Sequence, residues 1–515
     1  MNSTSSTDGT TRARANGAPG VLGGREPGWL PSRRSFLWRF GGGLGGVALT
    51  RMLAGDGLLS GWAQAGQGSA DPGTSGPMGP LGPHFRPRVH RVIQLFMNGG
   101  ASQMDTFDHK PELDRKHGEK FDPGDGSRVE AATSEPGRIM KSPFAFQRHG
   151  QSGRWVSSVF PHLARKVDDL AFLMSIESRT NVHGPASFLM NTGSLLPGFP
   201  SLGAWVSYAL GNETGNLPTF VVLPDARGLP YNQRGNFSAG FLPATHAATI
   251  IDAGAAEPIP YLHPPASAGG FAEPAVSDAG KGLDLLRRMN RRHEQASPGD
   301  SRLEARIRSY ELAARMQLAA PETFDLGAES EATRRLYGLD DKVTEDFGRR
   351  CLLARRLVER GVRFVQVWSG AGGPSNNWDN HTDIITELPK IATSTDKPIA
   401  GLLEDLRARG LLEDTLVVWS TEFGRMPFTQ GATGRDHNGG TSIGWMAGAG
   451  VRPGVACGES DPWGWKALEK ITTYDVHATL LHLLGLDHER LTVRNNGADR
   501  RLTDVHGHVI QGLLA

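Results

Sequence analysis

Carboxylate and imidazole side chains recur in this sequence at points where hydrophobic segments end. Six of them are candidates for metal binding or for acid-base chemistry, namely Asp105, His183, Asp379, His381, Glu422 and His437. Carboxylate oxygens and neutral imidazole nitrogens are the ligands of zinc, manganese and similar divalent ions. Two such ions a few ångströms apart could clamp an in-line displacement at phosphorus. A single oxygen-rich site would instead suit calcium or magnesium.

Each of these residues also has a structural interpretation. Asp105 could cap the turn after its strand, and Asp379 could be the N-cap of a helix. Glu422 could form a local ion pair, His183 could be a hydrogen-bonded core histidine, and His437 could be a simple loop residue. The placement of several of them after predicted strands is what favours a common site.

An alternation of strands and helices must position these side chains. Strands are predicted at residues 90–97, 170–175, 217–223, 362–368 and 416–420. Helices are predicted at residues 160–167, 186–190, 347–358, 399–410 and 476–484. This alternation predicts an α/β fold with a mainly parallel sheet and helices on both faces. Ligands of such sheets gather beyond the carboxyl ends of the strands, which is where the polar residues occur.

One region interrupts the alternation. Residues 225–345 begin rich in proline and glycine and continue as polar segments with helically spaced apolar residues such as Leu303 and Ile307. This pattern predicts a partly helical insertion that forms a cap within a domain spanning residues 88–515.

The first 65 residues have the order of an export signal. Residues 1–30 are polar and are predicted to be disordered. The motif SRRSFL, a glycine-rich apolar stretch and an A-x-A cleavage site at 63–65 follow. This order resembles the twin-arginine signal, which is an address and not an anchor. It implies a periplasmic or extracellular protein, with a linker over residues 66–87 and no stable membrane span in the mature chain.

The composition argues against several other classes of protein. Basic and acidic residues number 55 and 54, so the chain lacks the basic surplus typical of nucleic-acid binding. Cys351 and Cys457 do not form a CxxC pair, which argues against a thiolate zinc site and against a haem-type redox protein. Two small buried side chains are the favoured interpretation of the cysteines, with a disulfide left open.

The segments that carry the candidate residues resemble known families. Residues 401–424, with the ending LVVWSTEFG, resemble sulfatases, and Glu422-Phe423 stands where sulfatases have a metal-binding Asp-His pair. TYDVHATLL resembles the C-terminal helix of sulfatases. The segments GG-x-S-x-x-D-T-F-D, W-D-x-H, T-E-F-G-R and G-R-D-H-N together resemble the 1501 family of domains of unknown function. That family consists of exported bacterial proteins within the alkaline phosphatase and sulfatase clan, and the likeness spans residues 88–512.

The resemblance implies a fold of the alkaline phosphatase and sulfatase type with a divalent metal cofactor: zinc, manganese, calcium or magnesium. It places Asp105 and Glu422 at one metal position, with His183 as a further member. It assigns to the other position Asp379, His381 and His437. Arg425 and Arg435 would hold the oxyanion of a sulfate or phosphate, since guanidinium forks suit both groups. Each arginine could equally be a structural ion-pair partner.

The nucleophile segment departs from the sulfatase pattern. His183 stands at the nucleophile position in HGPAS, and neither a cysteine nor a serine is aligned there. Two mechanisms remain: direct attack by a metal-bound hydroxide, or attack by His183 with a covalent adduct. The hydroxide is favoured, because surroundings rich in metal ligands discourage a free imidazole.

These expectations favour an extracytoplasmic, metal-dependent hydrolase of sulfate or phosphate esters, with a small molecule or a glycan as substrate. The alternative is a non-catalytic binding module for an anionic glycan or for an envelope partner protein, which the missing nucleophile supports. No nucleic-acid partner is expected.

Overall fold

The computed structural model describes residues 81–129, 131–255, 258, 276–296, 303, 306–308, 310–312, 321–373 and 375–515. The predicted export signal and most of the predicted linker precede residue 81, outside the described residues, and they stay predictions. In the described part of the chain, no helix is both long enough and apolar enough to cross a bilayer.

The strands number seventeen in the described ranges. In chain order they are β1 (Arg91–Met97), β2 (Phe146–His149), β3 (Arg154–Ser157), β4 (Leu170–Glu177), β5 (Phe220–Leu223), β6 (Thr249–Ile250), β7 (Phe364–Ser369), β8 (Thr415–Ser420), β9 (Gly424–Gln430), β10 (Gly434–Asn438), β11 (Ser442–Gly448), β12 (Ala456–Cys457), β13 (Glu459–Ser460), β14 (Ala467–Glu469), β15 (Ile471–Thr472), β16 (Val493–Asn495) and β17 (Ala498–Arg500). Nine of them form one large sheet in the order β12-β4-β11-β8-β1-β7-β5-β6, with β15 also paired to β4.

The α-helices surround this sheet and vary widely in length. They are α1 (Gln103–Thr106), α2 (Pro111–Arg115), α3 (His183–Thr192), α4 (Leu202–Leu210), α5 (Val276–Ala296), α6 (Pro321–Phe324), α7 (Glu331–Leu336), α8 (Glu345–Glu359), α9 (Ile384–Ala408) and α10 (Thr473–Leu483). The segment predicted as a helix at 160–167 is instead a 3-10 helix over Leu163–Asp169.

The centre of the large sheet is parallel, as predicted. β1 pairs in parallel with both β7 and β8, with Met97 opposite Ser369 and Phe96 opposite Ser420. The loops after these three strands therefore start side by side at one edge. β11 is an exception that the sequence pattern did not indicate, because it lies antiparallel between β4 and β8.

Alternate residues of β1 face opposite layers of the core. Val92 and Phe96 belong to the cluster that contains side chains of α4 and α10. Ile93, Leu95 and Met97 belong to the cluster that contains side chains of α8 and α9. Because side chains of a strand alternate between the two faces, both faces are buried under helices. The predicted α/β class, with helices on both sides of the sheet, is confirmed.

Helix α9 is longer than predicted. The pattern indicated a helix only after Pro398, but the helix begins at Ile384 and includes both Pro389 and Pro398. Proline disfavours a helix interior because it lacks an N–H group and its ring clashes with the preceding turn. Leu388, Ile391 and other apolar residues of this helix are buried in the core, and that packing outweighs the local preference.

The region predicted as an insertion also contributes to the main sheet. Within residues 225–345, β6 pairs in parallel with β5 at the edge of the sheet, through Thr249 opposite Val221. The helices α5, α6 and α7 fall in the same region.

Neither cysteine forms a disulfide in this fold. Cys351 is buried on α8, and Cys457 is half-buried on β12. Burial raises the pKa of both thiols, which disfavours the reactive thiolate.

A polar chain through the core holds α3 against the sheet. Gln94 of β1 donates to Ser420 Oγ at 3.2 Å and accepts from Gln366 Nε2 at 3.1 Å. Gln366 also donates to Asn191 Oδ1 at 2.6 Å, and Asn191 in turn donates to the carbonyl of Ser187. These bonds fix the helix whose first residue is His183.

The buried imidazole of His477 is expected to make stability fall in acid. Its Nε2 donates to the carbonyl of Met190 at 2.8 Å, and burial lowers its pKa to about 4. Between pH 6.5 and 4 the unfolded chain binds a proton that the native state does not bind, so stability is lost as the pH falls. The loss is roughly 3 kcal/mol from this group. Denaturant unfolding at pH 7 and pH 4 should show it.

The His477→Gln variant isolates this contribution, because glutamine can donate to the same carbonyl but does not titrate. We expect the fall in unfolding free energy between pH 7 and pH 4 to be smaller in the variant by that amount. Equal falls in the two proteins would contradict the assignment.

Candidate metal centre

Four of the predicted site residues come together at the edge where the parallel strands end. They are His183, Asp379, His381 and His437, and each offers one ligand atom within 4.8 Å of the others. His183 is the first residue of α3, Asp379 and His381 lie in the loop from β7 to α9, and His437 lies on β10. It is the one group of this kind within the described residues.

One oxygen of Asp379 lies at the centre of the group. Its Oδ1 is 3.2 Å from His183 Nε2, 2.7 Å from His381 Nε2 and 3.2 Å from His437 Nε2. Arg425 Nη2 donates to the same oxygen at 2.6 Å. Burial would raise the pKa of Asp379, but the three imidazoles and the guanidinium outweigh it and hold the pKa well below its usual range.

Each of the three imidazoles has its other ring nitrogen held by an oxygen. The Nδ1 partners are Glu422 Oε1 for His183 at 2.8 Å, the backbone carbonyl of Asn181 for His437 at 2.8 Å, and Gln430 Oε1 for His381. Acceptors at Nδ1 place the proton there and leave the Nε2 lone pair facing the centre. Metal-ligating histidines are oriented by this kind of outer partner.

The nitrogens at the centre need a cation or a proton between them. His381 Nε2 and His437 Nε2 are 2.8 Å apart, and two lone pairs would repel each other at that distance. His183 Nε2 is buried and has no hydrogen bond of acceptable geometry. A divalent ion bound by all four residues would satisfy these atoms, so the residues present fit a metal. Three imidazoles and one carboxylate suit zinc better than calcium or magnesium, which prefer oxygen.

The pKa shifts of two of these histidines also indicate that the group favours a bound positive charge. Burial lowers the pKa of His183, but the carboxylates of Asp379 and Glu422 more than offset burial, and its pKa is raised. Burial lowers the pKa of His437 to about 4, with Arg425 adding to the effect. Of these two imidazoles, His183 therefore holds a proton more readily than His437.

Glu422 supports the group from outside. Its Oε1 accepts from His183 Nδ1 and from the backbone N–H of Gly99, both at 2.8 Å. Gly99 has a φ of +120°, and a Cβ there would lie 2.6 Å from the backbone nitrogen of Asp379. Glycine is therefore required for this close approach. Sequence reasoning placed Glu422 among the ligands, whereas the structure places it behind His183.

Asp105 is not a member of the group either. Its two oxygens accept from Arg435 Nε at 2.6 Å and from Arg435 Nη2 at 3.2 Å, and Ser102 Oγ donates at 2.5 Å. Both Asp105 and Arg435 are fully buried. The structure thus does not assemble the two predicted metal positions. Of the carboxylates expected at the first position, Asp105 is bound by Arg435 and Glu422 is bound by His183.

Arg425 and Arg435 are both committed to protein groups. Arg425 donates to Asp379 and, through Nε at 2.7 Å, to the carbonyl of Gly100. Its Nη1 donates to the carbonyl of Arg435 at 3.0 Å. Arg435 Nη1 donates to the carbonyl of Met426 at 3.2 Å. These contacts favour the structural ion-pair interpretation over oxyanion binding for both residues.

Tyr231 is part of the site and was not identified from the sequence. Its ring stacks on His183 with centroids 4.4 Å apart and planes 8° from parallel. Its hydroxyl donates to the carbonyl of Gly373 at 2.8 Å and lies 3.3 Å from Asp379 Oδ2. Burial, together with the carboxylates of Asp379 and Glu422, raises the pKa of Tyr231 to about 12. The loop around Tyr231 has no periodicity, so only the tertiary contact reveals it.

Access to the group is from the His381 side. The side chain of His381 is 24% exposed, whereas those of His183, Asp379 and His437 are 11%, 7% and 7% exposed. Val182, next to His183, is exposed and gives the rim an apolar element. A ligand would reach the centre past the imidazole of His381.

Fold and site together define an α/β protein with one candidate metal centre at the carboxyl edge of its sheet. The chain belongs to the DUF1501 family of proteins of unknown function, whose family model matches residues 89–514. None of the curated proteins matches this sequence.

Several solved structures are similar to the chain at low identity. A sulfatase from Pseudoalteromonas sp. has 12% identity and a TM-score of 0.35, covering 78% of this chain and 69% of its own. A magnesium-bound variant of the TAB5 alkaline phosphatase, from an Antarctic bacterium, has 11% identity and a TM-score of 0.34, covering 78% and 99%. The lipoteichoic acid synthase LtaP from Listeria monocytogenes has 11% identity and a TM-score of 0.33, covering 84% and 78%.

Proposed function

We propose that the protein is a metal-dependent hydrolase of anionic esters, with one divalent ion bound by His183, Asp379, His381 and His437. The observation that supports this most directly is the convergence of three Nε2 atoms whose Nδ1 partners are all oxygens. Such an ion supplies Lewis-acid polarisation of the ester and lowers the pKa of water. Zinc is the first candidate because of the nitrogen-rich donor set.

The charge of the centre suits an anionic substrate. The centre contains two carboxylates, Asp379 and Glu422, and among the described residues Arg425 is the guanidinium that pairs with Asp379. With neutral imidazoles the protein part of the centre carries one net negative charge, and a divalent ion changes this to one net positive charge. A sulfate or phosphate ester would be attracted to that charge.

The residues have separate roles in this proposal. His183 is a ligand and not the nucleophile, because Glu422 holds one ring nitrogen and the other faces Asp379. Tyr231 keeps the His183 ring in place by stacking, and its hydroxyl lies beside the second oxygen of Asp379. His381, the most exposed member, lines the path by which the ester enters.

We also propose that the protein acts outside the cytoplasm. The support for this is the SRRSFL motif and the apolar stretch that follows it, which resemble a twin-arginine signal. A small molecule or a glycan that carries a sulfate or phosphate ester is the proposed substrate.

Metal analysis with an activity assay tests the proposed function. We expect the purified full-length protein to hold about one divalent ion per chain, because the described residues assemble ligands for one position. It should cleave an aryl phosphate or an aryl sulfate, lose that activity to a chelator and regain it when zinc is restored. Elemental analysis and release of the aryl alcohol are the measurements.

A folded protein without metal would contradict the proposal and support the non-catalytic binding module instead. About two ions per chain would contradict the single centre. If the protein holds its full complement of metal but cleaves neither ester, the metal centre would be supported and the hydrolase activity would be contradicted.

A further inference from the structure

A cavity that is separate from the metal centre lies beside the segment that leads into α3. It has a volume of about 450 Å³ and is lined by residues from three separate parts of the chain. Glu177 is the last residue of β4, Arg179 follows that strand, Lys470 precedes β15, and residues 505–508 also line the cavity. Tyr474, at the start of α10, also lines it. None of these residues belongs to the metal centre.

Some charged side chains around this cavity are neutralised by a partner within the described ranges, and one is not. Lys470 forms an ion pair with Glu177 at 2.7 Å. Asp475 accepts from the backbone N–H of Thr472 at 2.7 Å and from that of His508 at 2.6 Å, so its two oxygens are already engaged. Arg179 is exposed, and its hydrogen bond is to the neutral hydroxyl of Tyr474 at 3.1 Å. Among the described residues no carboxylate neutralises Arg179.

The wall around Arg179 offers further groups for a ligand. The rings of His506 and Tyr474 contact each other, with centroids 4.9 Å apart. Val505 is 76% exposed and adds an apolar surface at the mouth. An unpaired guanidinium beside imidazole, hydroxyl and apolar surface is suited to an acidic substituent on an otherwise uncharged body, such as a sulfated or phosphorylated sugar.

The cavity and the metal centre share one short piece of chain. Arg179 lines the cavity, Asn181 gives its carbonyl to His437, and His183 is in the metal group. Four residue steps separate Arg179 from His183, so their Cα atoms are at most about 14 Å apart. One extended ligand could therefore occupy both places.

We propose that this cavity binds a second acidic substituent of the ligand whose ester lies at the metal centre. The protein would then act on an oligomeric ligand that carries several anionic groups, with Arg179 as the anchor of the distal group. This inference rests on the proposed function for the identity of the ligand, but binding in the cavity needs neither metal nor hydrolysis.

Calorimetric titration of the full-length protein tests the inference. The probes are a sulfated dextran oligosaccharide and the unsulfated dextran of the same length. We expect the sulfated probe to bind and the unsulfated probe not to bind. The Arg179→Ala variant should weaken binding of the sulfated probe by about tenfold, the effect of one charge-assisted hydrogen bond. The Arg494→Ala variant is the matched control, because Arg494 is exposed and forms a surface ion pair with Asp499.

The same titration after chelator treatment separates this inference from the proposed function. If the weakening by Arg179→Ala persists without metal, the cavity is supported whether or not the metal centre is catalytic. Equal affinity of the Arg179→Ala and parent proteins would overturn the inference while leaving the metal centre intact. Equal binding of the two dextrans would also overturn it, because sulfate would then not be recognised.

Discussion

The Asp379→Asn variant is expected to lose the bound divalent ion and, with it, all ester cleavage above the level measured in excess chelator. Asp379 Oδ1 is the atom around which the three imidazole nitrogens converge. The substitution removes the single ligand charge and also leaves the buried Arg425 without its carboxylate. Loss of a group that only supports a ligand lowers metal affinity about 10–100-fold, so loss of the ligand itself should exceed about 100-fold. Metal titration with a competing chelator measures the change.

The Asp383→Asn variant is the matched control for this experiment. Asp383 lies in the same loop and caps α9 by accepting from the backbone N–H of Thr386 at 3.2 Å. Asparagine is an equally good N-cap, so the fold and the metal content should be retained. If Asp379→Asn kept its metal while folded, the four-residue centre would be wrong.

Breaking the buried pair of Asp105 and Arg435 should have the largest effect on stability. The Arg435→Met variant is expected to lose about 3–5 kcal/mol of unfolding free energy, because it leaves the Asp105 carboxylate buried without its cation. Adding Asp105→Ala to this variant should recover part of the loss, since the uncompensated charge is then removed. Urea denaturation of the three proteins measures both effects.

An exposed pair provides the comparison. Arg494→Met breaks the surface pair with Asp499 and should change the unfolding free energy by less than about 1 kcal/mol. If Arg435→Met left stability intact and raised only the KM for the ester, the substrate-binding role first considered for Arg435 would be restored.

The strands that position the site could be predicted where they are mainly apolar. β1, β7 and β8 are buried on both faces, and their nearly continuous hydrophobic runs are typical of central parallel strands. The hairpin of β9 and β10 could not be predicted in this way. All five residues of β10 are buried, yet the segment reads GRDHN, because its burial depends on partners such as Asp105 for Arg435. Local periodicity carries no information on those partners.

Four members of the candidate site were predictable from the sequence, whereas Tyr231 and the supporting role of Glu422 were not. The sequence could indicate His183, Asp379, His381 and His437 because they follow strands that end at one edge. It could not decide between the ligand and supporting roles of an acidic residue. The role of Glu422 depends on which ring nitrogen of His183 it contacts, and more than two hundred residues separate the two in the sequence.

The distribution of the candidate ligands along the chain has a consequence for folding. They extend from the first turn of α3 to β10, and the loop that carries Asp379 lies between them in the sequence. A cation held by all of them would act as a reversible cross-link between segments that meet only in the native state. Conformational stability would then rise with the free metal concentration of the compartment, by about 1.4 kcal/mol for each tenfold increase above the dissociation constant.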